Sequence, residues 1–404
     1  MYSQETQRTQ MLYHKINSRL TPKSLSPMKI KAAVLHQMGL PRPYTQSKPL
    51  TIEELELKSP EAGEVLVKIR AAGLCHSDLS VIDGNRPRQV PMVLGHEAAG
   101  EIVELGSGVK NLAYGDHVVF SFVPICGHCM PCMTARPALC ENGVAANNKG
   151  MLLGDGMRLF NHQQHPIHHH MGVSGFAEYA VVSVKSVVRI DKSLPFNIAA
   201  LFGCAVMTGV GAVINTAKLL LGQTVLITGL GGVGFAALLG ALAGGASKII
   251  VADISNDKLA KALELGAHHA INAADENAVE QVRDLTHGGV DIGMEFAGVV
   301  QALEFTYNAT ARGGKTVTAG LPHPSKLMQL SVTKLVAEER TLQGSYIGSC
   351  IPARDIPAYI ALYQSGRLPV DKLMTHTIKL SEVNEGFERL AKGEAIRQII
   401  TSFS

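Results

Sequence analysis

No stretch of this 404-residue chain approaches the roughly 18 to 20 consecutive apolar residues of a membrane-spanning helix. Its most apolar segment, FAALLGALAGGA at 235–246, is short and diluted by Gly and Ala. A block of one charge is missing as well. The 37 Lys and Arg stand against 34 Asp and Glu, a formal net charge of +3, which argues against the phosphate neutralisation on which nucleic-acid binding depends. Residues 1–27, MYSQETQRTQMLYHKINSRLTPKSLSP, have no apolar core and no small-residue cleavage site, so they do not read as a secretory signal. Arg8, Lys15, Arg19 and Lys23 leave a weak organelle transit peptide as an alternative to a disordered N-terminal extension before a second start at Met28. The expectation is a cytoplasmic protein with neither nucleic acid nor membrane as partner.

Hydrophobic residues make up 46% of the chain and mean hydropathy is +0.14, enough for two sizeable cores. From Lys29 onward, IKAAVL, LTIEELEL, EVLVKIRAAGLC, EIVELG, DHVVFSF and EYAVVS alternate with turn residues, a pattern of short strands that suggests a partly closed β-barrel. Near Ala205 the texture changes. TVLIT, KIIVAD, AINA, VDIGMEFAG and KTVTAG alternate with helical stretches such as FAALLGALAGG and NDKLAKALELG, the rhythm of a doubly wound parallel sheet. Helix-like VNEGFERLAKGE and strand-like RQIITSF end the chain. The fold class is therefore α/β, divided as a catalytic domain over 28–204, a Rossmann cofactor domain over 205–344, and a return to the first domain over 345–404.

In TVLITGLGGVG an apolar strand runs into Gly229, Gly231 and Gly234 in the spacing G-x-G-x-x-G, with Gly232 and Val233 between them. Such a triplet is weak alone but informative when it follows a strand, opens a helix, and is followed by a second strand ending in an acid, here Asp253. Glycines let the backbone approach a pyrophosphate at the helix N-terminus. A carboxylate at Asp253 favours NAD over NADP, because it bonds a ribose hydroxyl and repels a phosphate.

Seven cysteines are present: Cys75, Cys126, Cys129, Cys132, Cys140, Cys204 and Cys350. The cluster CGHCMPCMTARPALC supplies Cys126, Cys129, Cys132 and Cys140. In a reducing compartment that spacing suits a tetrahedral zinc with every coordination position filled, a structural staple. An iron–sulfur cluster shares the thiolate count, although its bacterial ferredoxin spacing differs. Cys75, His96 and Cys204 are candidates for a second, open site. Taken singly, each also reads as a buried thiol or a core histidine. Cys350 reads as a small buried hydrophobe.

GLCHSDLS, GHEAAGEIVELGSGV, the four-cysteine lobe, PIHHHMGVSGFAEYAVV, CAVMTG, GLGGVG and RQII together resemble the zinc-dependent alcohol dehydrogenases of the medium-chain dehydrogenase/reductase superfamily, from about Met28 to the C-terminus. The resemblance implies a GroES-like catalytic domain and a catalytic zinc on Cys75, His96 and Cys204, so two Zn ions per chain with the structural one. It also implies Glu97 as a transient ligand, Asp78 orienting His96, and Ser77 on the substrate hydroxyl. His76, Thr208, Gly229, Gly231, Gly232, Val233, Gly234, Asp253, Lys258 and Arg397 match NAD-contact positions, and Phe122 and Met171 match the substrate pocket.

The long segment between Cys140 and Phe176 is similar to that of the class III and animal branches, implying a homodimer, with a homotetramer as the alternative. Two features depart from the pattern. Ser80 stands where many relatives have the histidine that finishes a proton relay, and Arg86 and Arg88 stand where many are uncharged. The run of His between 162 and 170 is read as no metal site, since adjacent strand residues face opposite ways and no acid lies inside it. The expected activity is NAD-linked interconversion of alcohols, foremost primary ones, and aldehydes. An S-hydroxymethylglutathione dehydrogenase and a zinc- and nucleotide-binding protein without turnover are the alternatives.

Overall fold

The computed structural model describes residues 27–403, so the expectation for 1–27 lies, Pro27 apart, outside the described residues. Alternation at the end of LTIEELEL buries Leu55 and Leu57 on one face, while Leu50, five residues earlier, is buried on the other. That strand, Leu50–Leu57, pairs antiparallel along its whole length with Met28–Leu35. Met92–Val93, Leu159–Phe160 and Pro166–His169 complete a closed five-stranded barrel. The expected barrel is therefore present but closes fully. Its closing strands are only two to four residues long, too short to show a period of two in sequence.

A second sheet of seven strands is organised around Glu64–Gly73, which pairs with Glu97–Leu105, with Tyr179–Ser183 and with Arg397–Ser402. The last of these comes from the end of the chain and sets Ile399 opposite Gly73 and Ile400 opposite Ala72. The third sheet has six parallel strands in the spatial order His269–Asn272, Lys248–Asp253, Thr224–Thr228, Val290–Glu295, Thr310–Thr318 and Thr341–Gly344. Numbered along the chain this is 3-2-1-4-5-6, the doubly wound order, whose binding crevice opens where the winding reverses, beside Thr224–Thr228. The edge strand Thr341–Gly344, TLQG, has no apolar pattern and was not legible in the sequence.

One core runs without a break from Val67 and Ile102 in the second sheet, through Phe202 and Met207, to Phe235 and Val251 in the third. Two helices, Ala205–Gly211 and Gly232–Ala243, approach closely within it. A Cβ built on Gly209 would stand 2.3 Å from the Val233 carbonyl oxygen and 2.7 Å from the Ala237 nitrogen. Only a glycine lets the two backbones touch there, and both helices begin at residues the chemistry needs: Cys204 caps the first and Gly231 the second. Gly209→Ala should therefore lower the free energy of unfolding by about 1–3 kcal/mol, the usual cost of overpacking a tight core. The reading is a urea midpoint; an unshifted midpoint would show that the helices separate at no cost.

Candidate active site

Strand Glu64–Gly73 runs out at Leu74, and Cys75 then caps the helix His76–Ile82. His96 immediately precedes the antiparallel neighbour Glu97–Leu105, in which Glu97 lies opposite Gly73. The third member, Cys204, caps Ala205–Gly211. Their donor atoms meet in one buried place: Cys75 Sγ is 3.9 Å from Cys204 Sγ, and His96 Nε2 is 3.4 Å from Cys204 Sγ. Tetrahedral zinc with bonds of about 2.3 Å to sulfur and 2.0 Å to nitrogen sets edges of roughly 3.8 Å and 3.5 Å. The three residues thus fit such an ion and fill three of its four positions. Contact with Cys204 and then the His96 imidazole hold the Cys75 thiol well below its ordinary range, against burial.

Asp78 lies wholly buried behind His96 and fixes its tautomer. An Asp78 oxygen stands 3.1 Å from His96 Nδ1, leaving Nε2 for the thiolates, and Asp78 also accepts from the Gly95 N–H at 3.0 Å. Burial opposes its charge, but His96 and His170 outweigh that and keep the carboxyl below the usual range. His170 was not singled out by sequence reasoning. It leaves strand Pro166–His169 in a single 3-10 turn, is fully buried, and brings Nδ1 to 3.0 Å from Asp78 Oδ1. Inside a run of histidines nothing distinguished it.

Glu97 is fully buried and ion-pairs through one oxygen with Arg397 Nη2, while its Oε1 has no hydrogen-bond partner. Burial pushes Glu97 up to about 7 in spite of that guanidinium.

The four-cysteine lobe is a separate, closed cluster. Its sulfurs lie 3.4 Å (Cys129 to Cys132), 3.9 Å (Cys129 to Cys140) and 4.0 Å (Cys126 to Cys132) apart, far outside a disulfide bond and near tetrahedral edges. Backbone N–H groups of His128 and Cys129 donate to Cys126 Sγ, and those of Cys126 and Gly143 to Cys140 Sγ. Burial works against the Cys126 thiolate, yet these donors bring it down to about 6, whereas burial pushes Cys132 up to about 12. Four thiolates this close can coexist only around a cation, so this set also fits a metal.

A single cavity of about 810 Å³ joins the open site to the crevice of the parallel sheet. Cys75, His76, Ser77, Phe122, Met171 and Cys204 line one end. At the other end it meets Thr208, Gly229, Gly231, Gly232, Val233, Asp253, Lys258 and Arg397. Of the residues expected at the site, Asp78, His96 and Glu97 stand behind the wall, and Gly234 is spent on packing, since a Cβ there would lie 1.9 Å from the Gly229 oxygen.

Gly231 alone of the loop glycines faces open space, and helix Gly232–Ala243 has no side-chain cap on its first N–H groups. That is a cradle for an anion with backbone donors ready. Asp253 accepts from the Leu230 N–H at 2.6 Å and the Ser255 N–H at 2.9 Å, so it braces the loop as well as facing the cavity. At the other end Phe122 stands edge-on to His96, with ring centroids 5.1 Å apart, and Tyr346, which had no sequence signal, stands edge-on to Phe122. Ser80 donates its hydroxyl to the His76 carbonyl at 2.8 Å, which occupies its one donor and leaves its lone pairs to accept.

Because Asp78 is what orients His96, Asp78→Asn should weaken metal binding at this site by about 10-fold to 100-fold. Competition against a chelating dye measures it, and an unchanged affinity would show that packing alone holds the imidazole.

Residues 61–192 match the alcohol dehydrogenase GroES-like domain and residues 232–365 match the zinc-binding dehydrogenase family. The chain is 42% identical over 378 residues to an NDMA-dependent alcohol dehydrogenase of Amycolatopsis methanolica, spanning 92% of this chain and 99% of that one. It is 37% identical over 377 residues to alcohol dehydrogenase 1 of Cenchrus americanus, spanning 92% and 97%. Among solved structures, benzyl alcohol dehydrogenase from Acinetobacter calcoaceticus superposes with a TM-score of 0.87 at 33% identity, covering 93% of this chain and all of that one. With a GroES-like catalytic unit, a doubly wound sheet and an open donor set between them, the chain belongs to the zinc-dependent medium-chain alcohol dehydrogenase family.

Proposed function

We propose that this dehydrogenase is NAD-linked and interconverts alcohols, primary ones foremost, with aldehydes, holding one zinc on Cys75, His96 and Cys204 and a second on Cys126, Cys129, Cys132 and Cys140. The observation that carries the reading is the continuous cavity, with the Gly-rich turn and Asp253 at one end and the open donor set with Ser77 at the other. When bound, the open-site metal supplies a Lewis acid for the alcohol oxygen and the nicotinamide supplies the hydride acceptor. The chain's own residues do the rest. Cys75, His96 and Cys204 fix the reacting end, and Ser77, half-buried at the cavity wall, takes up the hydroxyl proton. Ser80, a hydroxyl whose proton is committed to the His76 carbonyl, is not a base, so the proton passes from Ser77 to water in the open cavity. Phe122, Met171 and Tyr346 exclude water from the substrate's body.

The reading carries with it the class III or animal-like branch, on the length of the segment between Cys140 and Phe176, and with that branch a homodimer in a cytoplasmic setting; the segment folds as helix Glu141–Lys149 and the hairpin of Leu159–Phe160 with Pro166–His169. The name of the Amycolatopsis relative makes the terminal electron acceptor the open point. Assays with ethanol, benzyl alcohol, and formaldehyde plus glutathione, each with NAD, NADP and NDMA, therefore test the reading. Turnover of a simple alcohol with NAD is the expected result. Turnover of only the glutathione adduct would select that alternative, and no turnover at all would select a binding protein.

Two outcomes follow from the residues. Elemental analysis should give two zinc ions per chain, and Cys129→Ser should give one, with a lower melting temperature but retained alcohol oxidation just after purification. Iron, or loss of both ions together, would refute the assignment of separate roles. Ser77→Ala should keep the metal and the NAD affinity but lose about 100-fold to 10,000-fold in kcat, the usual loss when a positioned proton-transfer group is removed. A variant with wild-type kcat would remove Ser77 from the proton path.

A further inference from the structure

Two cations stand at the substrate end of the cavity. Arg86 and Arg88 line it beside Phe122, Met171 and Tyr346, whereas the one carboxylate on the wall among the described residues, Asp253, is at the nucleotide end and is bonded to the Leu230 and Ser255 N–H groups. Each guanidinium has five N–H donors in a planar fork. Arg86 uses Nη2 on the Leu321 carbonyl at 2.6 Å, and Arg88 uses Nη1 on the Asn148 side-chain oxygen at 2.8 Å. Both partners are neutral, and among the described residues neither arginine forms an ion pair with a carboxylate.

Their positions are held from below. The Arg86 N–H donates to the Ser80 carbonyl at 2.7 Å, at the end of the helix that carries Ser77, and the Arg88 N–H reaches Met38 Sδ at 3.4 Å. Two half-buried like charges on one wall disfavour each other, and burial draws Arg86 down from its ordinary range, opposed by Cys75 and Tyr346 and aided by Arg88. An anion in the cavity would relieve both effects. The nucleotide's phosphates are an unsuitable source, since the glycine turn at Gly231 and its helix N-terminus, with Asp253 and Lys258, form the other part of the lining. A planar carboxylate matches the guanidinium fork.

We infer that the alcohol this site takes carries a carboxylate, held by Arg86 and Arg88, with an apolar body between Phe122, Met171 and Tyr346 and its hydroxyl toward Cys75, Cys204 and Ser77. The inference rests on the dehydrogenase reading above. The reaction balances without a further reagent: the carboxylated alcohol loses a hydride to NAD and a proton to solvent, giving the carboxylated aldehyde and NADH. The rival role for Arg86 is mechanical, because its bond to Leu321 reaches from the loop after the helix bearing Ser77 to the loop after Thr310–Thr318 and clasps the two sides of the cavity.

The experiment compares 4-(hydroxymethyl)benzoate with benzyl alcohol, which lacks the para carboxylate and is otherwise the same molecule. Wild-type kcat/KM should favour the benzoate by about tenfold or more at low salt, the scale of one charged hydrogen bond, and the advantage should shrink as salt screens it. Arg86→Gln and Arg88→Gln should each cut the preference several-fold, with the KM for NAD held within about twofold. Arg88→Glu should turn the order toward 4-(aminomethyl)benzyl alcohol, which a merely structural arginine would not do. Equal or better use of benzyl alcohol by the wild type would overturn the inference while leaving the dehydrogenase reading intact, as would variants that slow both alcohols alike. If no alcohol is oxidised, the dehydrogenase reading falls. Calorimetry of 4-(hydroxymethyl)benzoate then decides the anion site: binding lost in Arg88→Gln sustains it, and no binding to wild type ends it.

Discussion

Arg397, buried to 4% exposure, ion-pairs with Glu97, a residue 300 positions earlier, and lies so close to Gly232 that a Cβ there would meet its Cδ at 2.3 Å. One cation therefore ties together the last strand of the chain, the strand that follows His96, and the first turn of the helix that opens the dinucleotide crevice. A buried charge left without its partner costs several kcal/mol, so neither Glu97 nor Arg397 can be displaced separately. Strand pairing reinforces this, since Ile399 opposite Gly73 sets the height at which Arg397 enters. Electrostatics and register thus decide where the two halves meet, and the cavity is the space left between them.

The same logic separates the two thiol sites. Three donors of the open site stand at the ends of rigid elements, two of them on neighbouring antiparallel strands, so their spacing is inherited from the sheet. The four-cysteine lobe has only one-turn elements of its own, the helix Met130–Met133 and the 3-10 turn Pro137–Leu139, and its sulfurs accept from backbone N–H groups close by in the chain. Cys140 does two tasks at once, accepting from Gly143 as the cap of helix Glu141–Lys149 while facing the other sulfurs. A scaffolded site can leave a position vacant without collapsing, and a loop site cannot.

Much of this was legible beforehand. The long strands of both sheets show period-two or apolar runs, and Leu50–Leu57 and Thr224–Thr228 have the expected bounds. Cysteine spacing marked the closed lobe, and strand, glycines and acid together marked the crevice around Gly231 and Asp253. What could not be read depends on long-range placement or on very short elements. The two-residue strands that close the barrel carry no period. His170 reaches Asp78 only because of a local turn, and Tyr346 reaches Phe122 across more than half of the chain. Ser80 was recognised as a departure, but its bond to the His76 carbonyl is a property of helix geometry that composition does not reveal. The functional resemblance added roles for Ser77 and Asp78 that spacing alone would not have assigned.

Asp253 has both carboxylate oxygens committed to the backbone, one to Leu230 inside the glycine turn and one to Ser255 at the cap of helix Asn256–Glu264. On the proposed NAD-linked reading, discrimination between cofactors and the shape of the turn are consequently a single trait, written in one side chain. A lineage drifting toward the phosphorylated cofactor could not simply trade this acid for a small or basic residue, because the turn would lose its brace in the same step. It would first have to acquire another support for the Leu230 N–H, which makes the cofactor choice slow to evolve even where a single codon change would suffice.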